Sequence, residues 1–212
     1  MSEEQPAADT PQQRRTLWIV LGLNIALTVG FAATGSIADS SALIANALDN
    51  ASDSLVYVIS LLALTRSEAW KHGAARVSGV LLLLFAAGVL FDAGRRYFLG
   101  SEPLGAAMIG MALVGAAVNA LCVWLLNRVK QADVNMRAAQ TFSFNDFVSN
   151  GGIVVAGGLV LWLGQAWPDL VVGVAVAAIA IKGGVSILRD VRREIDEEEQ
   201  SSAQDGDGSS RG

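Results

Sequence analysis

The stretch SALIANALDNASDSLVYVISLLAL, residues 41–64, is long enough to cross a bilayer and yet carries two carboxylates. About 20 helical residues, rising about 1.5 Å each, span the hydrocarbon layer. On such a helix Asp49 and Asp53 stand four positions apart, so both project from one face about one turn apart. An ionised side chain in hydrocarbon is expensive, and two like charges at that spacing also repel. Two arrangements relieve this: a bound cation, or protonated carboxyls hydrogen-bonded to neighbouring helices. A cation relieves both costs together and is the expectation.

Working outward, apolar runs place helices at roughly 16–37, 41–64, 76–98, 104–127, 138–163 and 168–189. The fold class is an all-α membrane protein of six transmembrane helices. Asp39-Ser40-Ser41, Ser101-Glu102-Pro103 and Gln165 to Asp169 read as short turns. Thr65 to Ala75 and Asn127 to Arg137 read as longer, charged loops, with His72 a lone interface residue in the first. Arg14, Arg15, Arg66, Lys71, Arg76, Arg128, Lys130, Arg137, Arg189, Arg192 and Arg193 flank one face, against Arg95 and Arg96 on the other. That bias predicts both termini on the cytoplasmic side.

Composition agrees. Hydrophobic residues make up 52% and charged residues 17%, with a mean hydropathy of +0.45, where soluble chains carry about 25% charge. The net charge of −5 is local. From Glu194 onward Asp196, Glu197, Glu198, Glu199, Asp205 and Asp207 add to Glu194 against Arg211 alone, so residues 1–193 carry a net +1. Residues 1–13 read as a disordered lead without signal-peptide features, 14–193 as the transmembrane domain, and 194–212 as an acidic disordered tail with no C-terminal soluble domain. A single cysteine and a single histidine exclude a disulfide framework and thiolate or His-rich metal cages. The basic residues lie along membrane edges and form no nucleic-acid patch.

The remaining buried polar residues fall at one depth. Counted from the proposed cytoplasmic ends at about 1.5 Å per residue, Asn24, Asn119 and Asp146 lie about 12 Å deep and Asp53 about 16 Å. Transporter sites commonly sit near that level. The third span adds nothing to it, and the two asparagines taken singly need be no more than interhelical hydrogen bonds. Lys182 of the sixth span either snorkels to the interface or supplies a counter-charge. Asp92 has Arg95 and Arg96 at i+3 and i+4, which predicts an interfacial ion pair. In the fifth span Ser143, Asp146, Ser149 and Asn150 form one polar stripe, and Asn145 is rotated about 100° from Asp146. Carboxylate and amide oxygens are hard donors that suit divalent cations in general, without the imidazole or thiolate that favours zinc.

Ala45-Asn46-Ala47-Leu48-Asp49-Asn50-Ala51-Ser52-Asp53 resembles the Asp-x-x-x-Asp segment of the cation diffusion facilitators, the cation efflux family. Asn135-Met136-Arg137-Ala138-Ala139 with Ser143-Phe144-Asn145-Asp146 and Asn150 resembles the fifth span of bacterial members. Trp167-Pro168-Asp169 leading into Ile181-Lys182-Gly183-Gly184 resembles the sixth. The similarity covers essentially residues 14–193. It implies a homodimeric antiporter in the bacterial inner membrane, exporting a divalent metal, usually zinc, in exchange for protons by alternating access. It also implies a metal site at Asp49, Asp53 and Asp146.

Two departures qualify the resemblance. The family's fourth ligand position holds Phe142, which has no donor, leaving Asn145, Ser143 or Asn150 to complete the site. The cytoplasmic metal-binding domain that many members carry is not expected. No cofactor is implied apart from the transported cation, for which zinc leads and cobalt, cadmium, iron and manganese are compatible. Three buried carboxylates without metal should hold at least one proton, because burial and like charge disfavour full ionisation. The rival readings are a non-transporting relative serving as a membrane partner or regulatory subunit, and a membrane-embedded phosphatidyl-group transferase. The transferase pattern needs further aspartates at fixed spacing, whereas Asp53 is followed by Ser54-Leu55-Val56-Tyr57, so an enzyme is not expected.

Overall fold

The computed structural model describes residues 11–63, 68–128 and 134–209. These form six helices, with no strand among the described residues: α1 (Pro11–Ile37), α2 (Ser41–Ala63), α3 (Glu68–Leu99), α4 (Gly105–Asn127), α5 (Val134–Leu163) and α6 (Trp167–Ser209). All but α2 are long and apolar enough to cross a membrane on their own composition. In α2 the run of Asn46, Asp49, Asn50, Ser52, Asp53 and Ser54 lowers the hydropathy. Its position compensates, for α2 packs against α1, α3, α5 and α6, and neighbouring helices cover what lipid would not tolerate.

Several helices outrun the apolar segments that announce them. The α3 helix begins at Glu68, so the charged stretch expected as a loop is largely helical, and His72 is a buried residue of α3. The α5 helix likewise starts at Val134, and α6 continues through the acidic stretch to Ser209. Hydropathy marks where a helix leaves lipid, while Glu, Lys, Arg and Ala are good helix formers in water. Residues 1–10 of the N-terminal lead lie outside the described residues.

The helices pair as α1 with α2, α3 with α6 and α4 with α5. One core joins Leu27 and Phe31 of α1, Leu43 and Ala47 of α2, Met108 and Ala112 of α4, and Ile153 and Ala156 of α5. A second seats Ala45 of α2 on Ala86 and Val89 of α3 and Val176 and Ala177 of α6. Small residues set these distances: a Cβ on Gly105 would lie 2.5 Å from the Gly157 carbonyl oxygen, and one on Gly184 would lie 3.0 Å from that of Gly79. Of the adjacent glycines Gly157 and Gly158 only Gly157 makes such a contact, and Gly151 and Gly152 make none. Trp18, Phe91, Phe98 and Trp162 face outward, an apolar exterior suited to lipid rather than water.

At one end of the bundle polar groups from three helices interlock. Asp39 adopts a positive φ of 50° and turns the chain between α1 and α2. Ser40 caps α2 by accepting from the Leu43 N–H at 3.1 Å. The Asp169 carboxylate, from the first turn of α6, accepts from the Ser40 hydroxyl at 2.5 Å and from the Ser41 and Ala42 N–H groups at 2.7 and 3.1 Å. An anion there meets both the unpaired N–H groups and the positive pole of α2. Arg96, buried near the end of α3, donates to Asp92 at 2.5 Å and also pairs with Asp39, while Arg95 reaches Asp92 at 3.1 Å. The expected Asp92 ion pair is present, with Asp39 added to it.

Candidate metal centre

In the opposite half of the bundle the polar face of α2 meets α5. An amide clamp sets their spacing. Asn46 Nδ2 donates to Asn150 Oδ1 at 3.3 Å, Ser149 Oγ donates to Asn46 Oδ1 at 3.3 Å, and Asn150 Nδ2 donates to the Asp146 carbonyl at 2.8 Å. On α4, Gly115 leaves the room that Asn150 occupies, for a Cβ there would lie 2.7 Å from Asn150 Oδ1. One turn further along, the clamp brings Asp49 and Asp53 of α2 to Asp146 of α5. Asp53 lies within electrostatic reach of both Asp49 and Asp146, and the carboxyls of Asp49 and Asp146 lie within hydrogen-bonding reach of each other. Two carboxylates so close require a proton or a cation between them.

These residues line a cavity of about 350 Å³. Its walls are Asp49, Ser52, Asp53, Leu55 and Val56 of α2, Ser78, Leu81, Leu82 and Phe85 of α3, Asn145 and Asp146 of α5, and Ile179, Ala180, Gly183, Ser186 and Ile187 of α6. Of the residues proposed from sequence, Asp49, Asp53, Asp146 and Asn145 share this cavity. Ser143 and Asn150 do not line it: Ser143 is buried near the Tyr57 hydroxyl, and Asn150 is engaged in the clamp. Phe142 belongs to α5, and its side chain lies outside the described residues. Lys182 is exposed and is not a wall residue.

Among the described residues no three His, Cys, Asp or Glu side chains stand close enough to enclose an ion by themselves. A cation here therefore draws on amide, hydroxyl or water oxygens as well as carboxylates, a hard and mixed donor set. The walls from α3 and α6 escaped the depth count, which gave α3 no part in the layer. The available signal was the lone Ser78 and Ser186 in otherwise apolar stretches. Asn24 donates its amide back to the Val20 carbonyl of its own helix at 3.0 Å.

A family model described as the cation efflux transmembrane domain matches residues 17–195. A cadmium, cobalt and zinc/H(+)-K(+) antiporter of Bacillus velezensis is 26% identical over 170 residues, covering 74% of this chain and 54% of the relative. The zinc transporter ZitB of Yersinia pestis is 26% identical over 194 residues, covering 85% and 62%, and that of Escherichia coli is 24% identical over 174 residues, covering 76% and 56%. The chain thus spans between about half and three-fifths of the length of these relatives. The apolar helices and the bacterial relatives mark an integral protein of the bacterial inner membrane.

Proposed function

Because the chain belongs to the cation efflux family, we propose that it carries a divalent metal cation across the membrane through the cavity bounded by Asp49, Asp53 and Asp146. The observation that supports this most is the approach of the Asp49 and Asp146 carboxyls beside Asp53, on a cavity wall where nothing basic offsets them. Three carboxylates bind a doubly charged ion or protons, and not both fully. A cation entering the site displaces protons, and a compartment of higher proton activity drives the reverse exchange. Asn145 is a neutral donor on the same wall.

The cavity lies in the half of the bundle that holds the α2 C-terminus and the α3 N-terminus. With both termini cytoplasmic, as the basic residues argue, this is an inward-facing arrangement. Export then requires the interlocked end to open while the cavity closes, an alternating-access cycle in a homodimer. The relatives' names support zinc, with cadmium and cobalt as further cargo.

Reconstitution in liposomes tests the reading. Wild-type protein should release protons when zinc is added against a gradient, and Asp49→Ala and Asp146→Ala should each abolish that release. Exchange that survives in both variants removes the site. Wild-type protein that folds, inserts and moves no metal would favour a non-transporting membrane subunit instead.

A further inference from the structure

We propose that Asn119 of α4 is a further donor to the transported cation, placing an amide oxygen on the side of the site away from the cavity. The inference deepens the cation-site reading above and rests on it.

Asn119 is wholly buried, and neither atom of its amide has a hydrogen-bond partner among the described residues. The other buried asparagines differ. Asn24 and Asn50 donate to the carbonyl one turn back on their own helices, and Asn46 and Asn150 bond across α2 and α5. An amide left open at both ends inside a bundle is unusual, and such groups often await an ion or water.

Register shows what it lies beside. α4 and α5 run antiparallel, with Gly105 against Gly157 and Gly115 against Asn150, and further along Cys122 is within electrostatic reach of Asp146. Asn119 lies one turn from both Gly115 and Cys122 on the same buried face of α4. That puts it opposite Asp146, whose own Oδ2 is buried and without a partner.

The chemistry matches the deficit. Two donors come from α2 and one from α5, and Phe142 carries none. An amide oxygen adds a neutral ligand where a fourth carboxylate would add repulsion. The resulting all-oxygen set suits harder divalent cations better than an imidazole-containing one would.

The experiment compares the full chain with Asn119→Leu, Asn119→Asp and Asp146→Asn, reading thermal unfolding and dissociation constants with zinc, cobalt and manganese chlorides. Leucine fills a similar volume and removes two unpartnered polar atoms, so the cation-free protein should melt no lower than wild type. Its cation affinity should fall about 10- to 100-fold, with a matching loss of cation-induced stabilisation. Asn119→Asp, which keeps an oxygen donor, should retain binding and change the order of metal preference. The proposal is overturned if Asn119→Leu binds all three cations within about twofold of wild type while Asp146→Asn does not. It is equally overturned if Asn119→Leu lowers cation-free stability and leaves affinity intact, the pattern of a structural amide. Should the leucine variant not fold, an Asn119→Asp protein with unchanged affinities and metal order would also sink it. Cation binding that survives in Asp146→Asn instead removes the underlying site.

Discussion

The two ends of this bundle surround the same residue type in opposite ways. At the interlocked end Asp39, Asp92 and Asp169 are met by Arg95, Arg96, three backbone N–H groups and two serine hydroxyls. In the other half Asp49, Asp53 and Asp146 face one another across a cavity, and among the described residues no lysine or arginine pairs with them. Buried charge that serves structure is saturated by the chain itself. Buried charge that is left open is expensive unless something from outside completes it.

Substitutions can break that contrast in graded steps. The largest expected effect is functional: Asp53→Asn should reduce metal flux in liposomes to the level of empty vesicles. The same change should leave the cation-free melting temperature unchanged or higher, since it removes one of three like charges. A marked drop in that temperature would mean that Asp53 is structural. Next, Asp169→Ala should destabilise the fold by about 2–3 kcal/mol, by stripping the α2 terminus of its carboxylate and leaving buried N–H groups open. It should leave cation affinity within a few-fold of wild type in a calorimetric titration.

Arg96→Leu should cost about 1–2 kcal/mol in denaturant unfolding, less than a fully buried pair would, because its partners Asp39 and Asp92 are partly exposed. The smallest effect belongs to Arg95→Ala. Arg95 also binds Asp92 but is half exposed, and such pairs contribute about 0.2–1 kcal/mol. If the two arginine variants were equally destabilised, burial would not be what distinguishes the interlocked end.

Much of this was legible in the sequence because lipid makes polarity costly. The spans stand out by length, and Asp49, Asp53 and Asp146 stand out as charges without a neighbour of opposite sign. The Asp92 pair could be read because its partners are local, at i+3 and i+4. The link from Asp169 to Ser40 could not, since 129 positions separate them and nothing in either turn announces the other. Depth and face along a helix were readable, but the neighbour that each face meets was not. Asn24 and Asn119 looked equivalent at one level, yet one closes on its own backbone and the other stays open. Asn145, a helical step from Asp146, shares its cavity because the wall is wide enough to include both. Helix ends were misjudged at α3, where favourable residues extend the helix beyond the apolar stretch.

The cap that α6 places on α2 also bears on how the chain is assembled. The chain is made from its N-terminus, so α2 precedes α6, and it is the helix among the described six that falls short of a membrane span on its own composition. Its first N–H groups and the Ser40 hydroxyl have no Asp169 to meet until the last helix is in place. Until then α2 has one terminus open and its carboxylates uncovered on the α6 side. Insertion of α6 therefore completes α2, and a nascent chain stopped before Trp167 would hold α2 least securely.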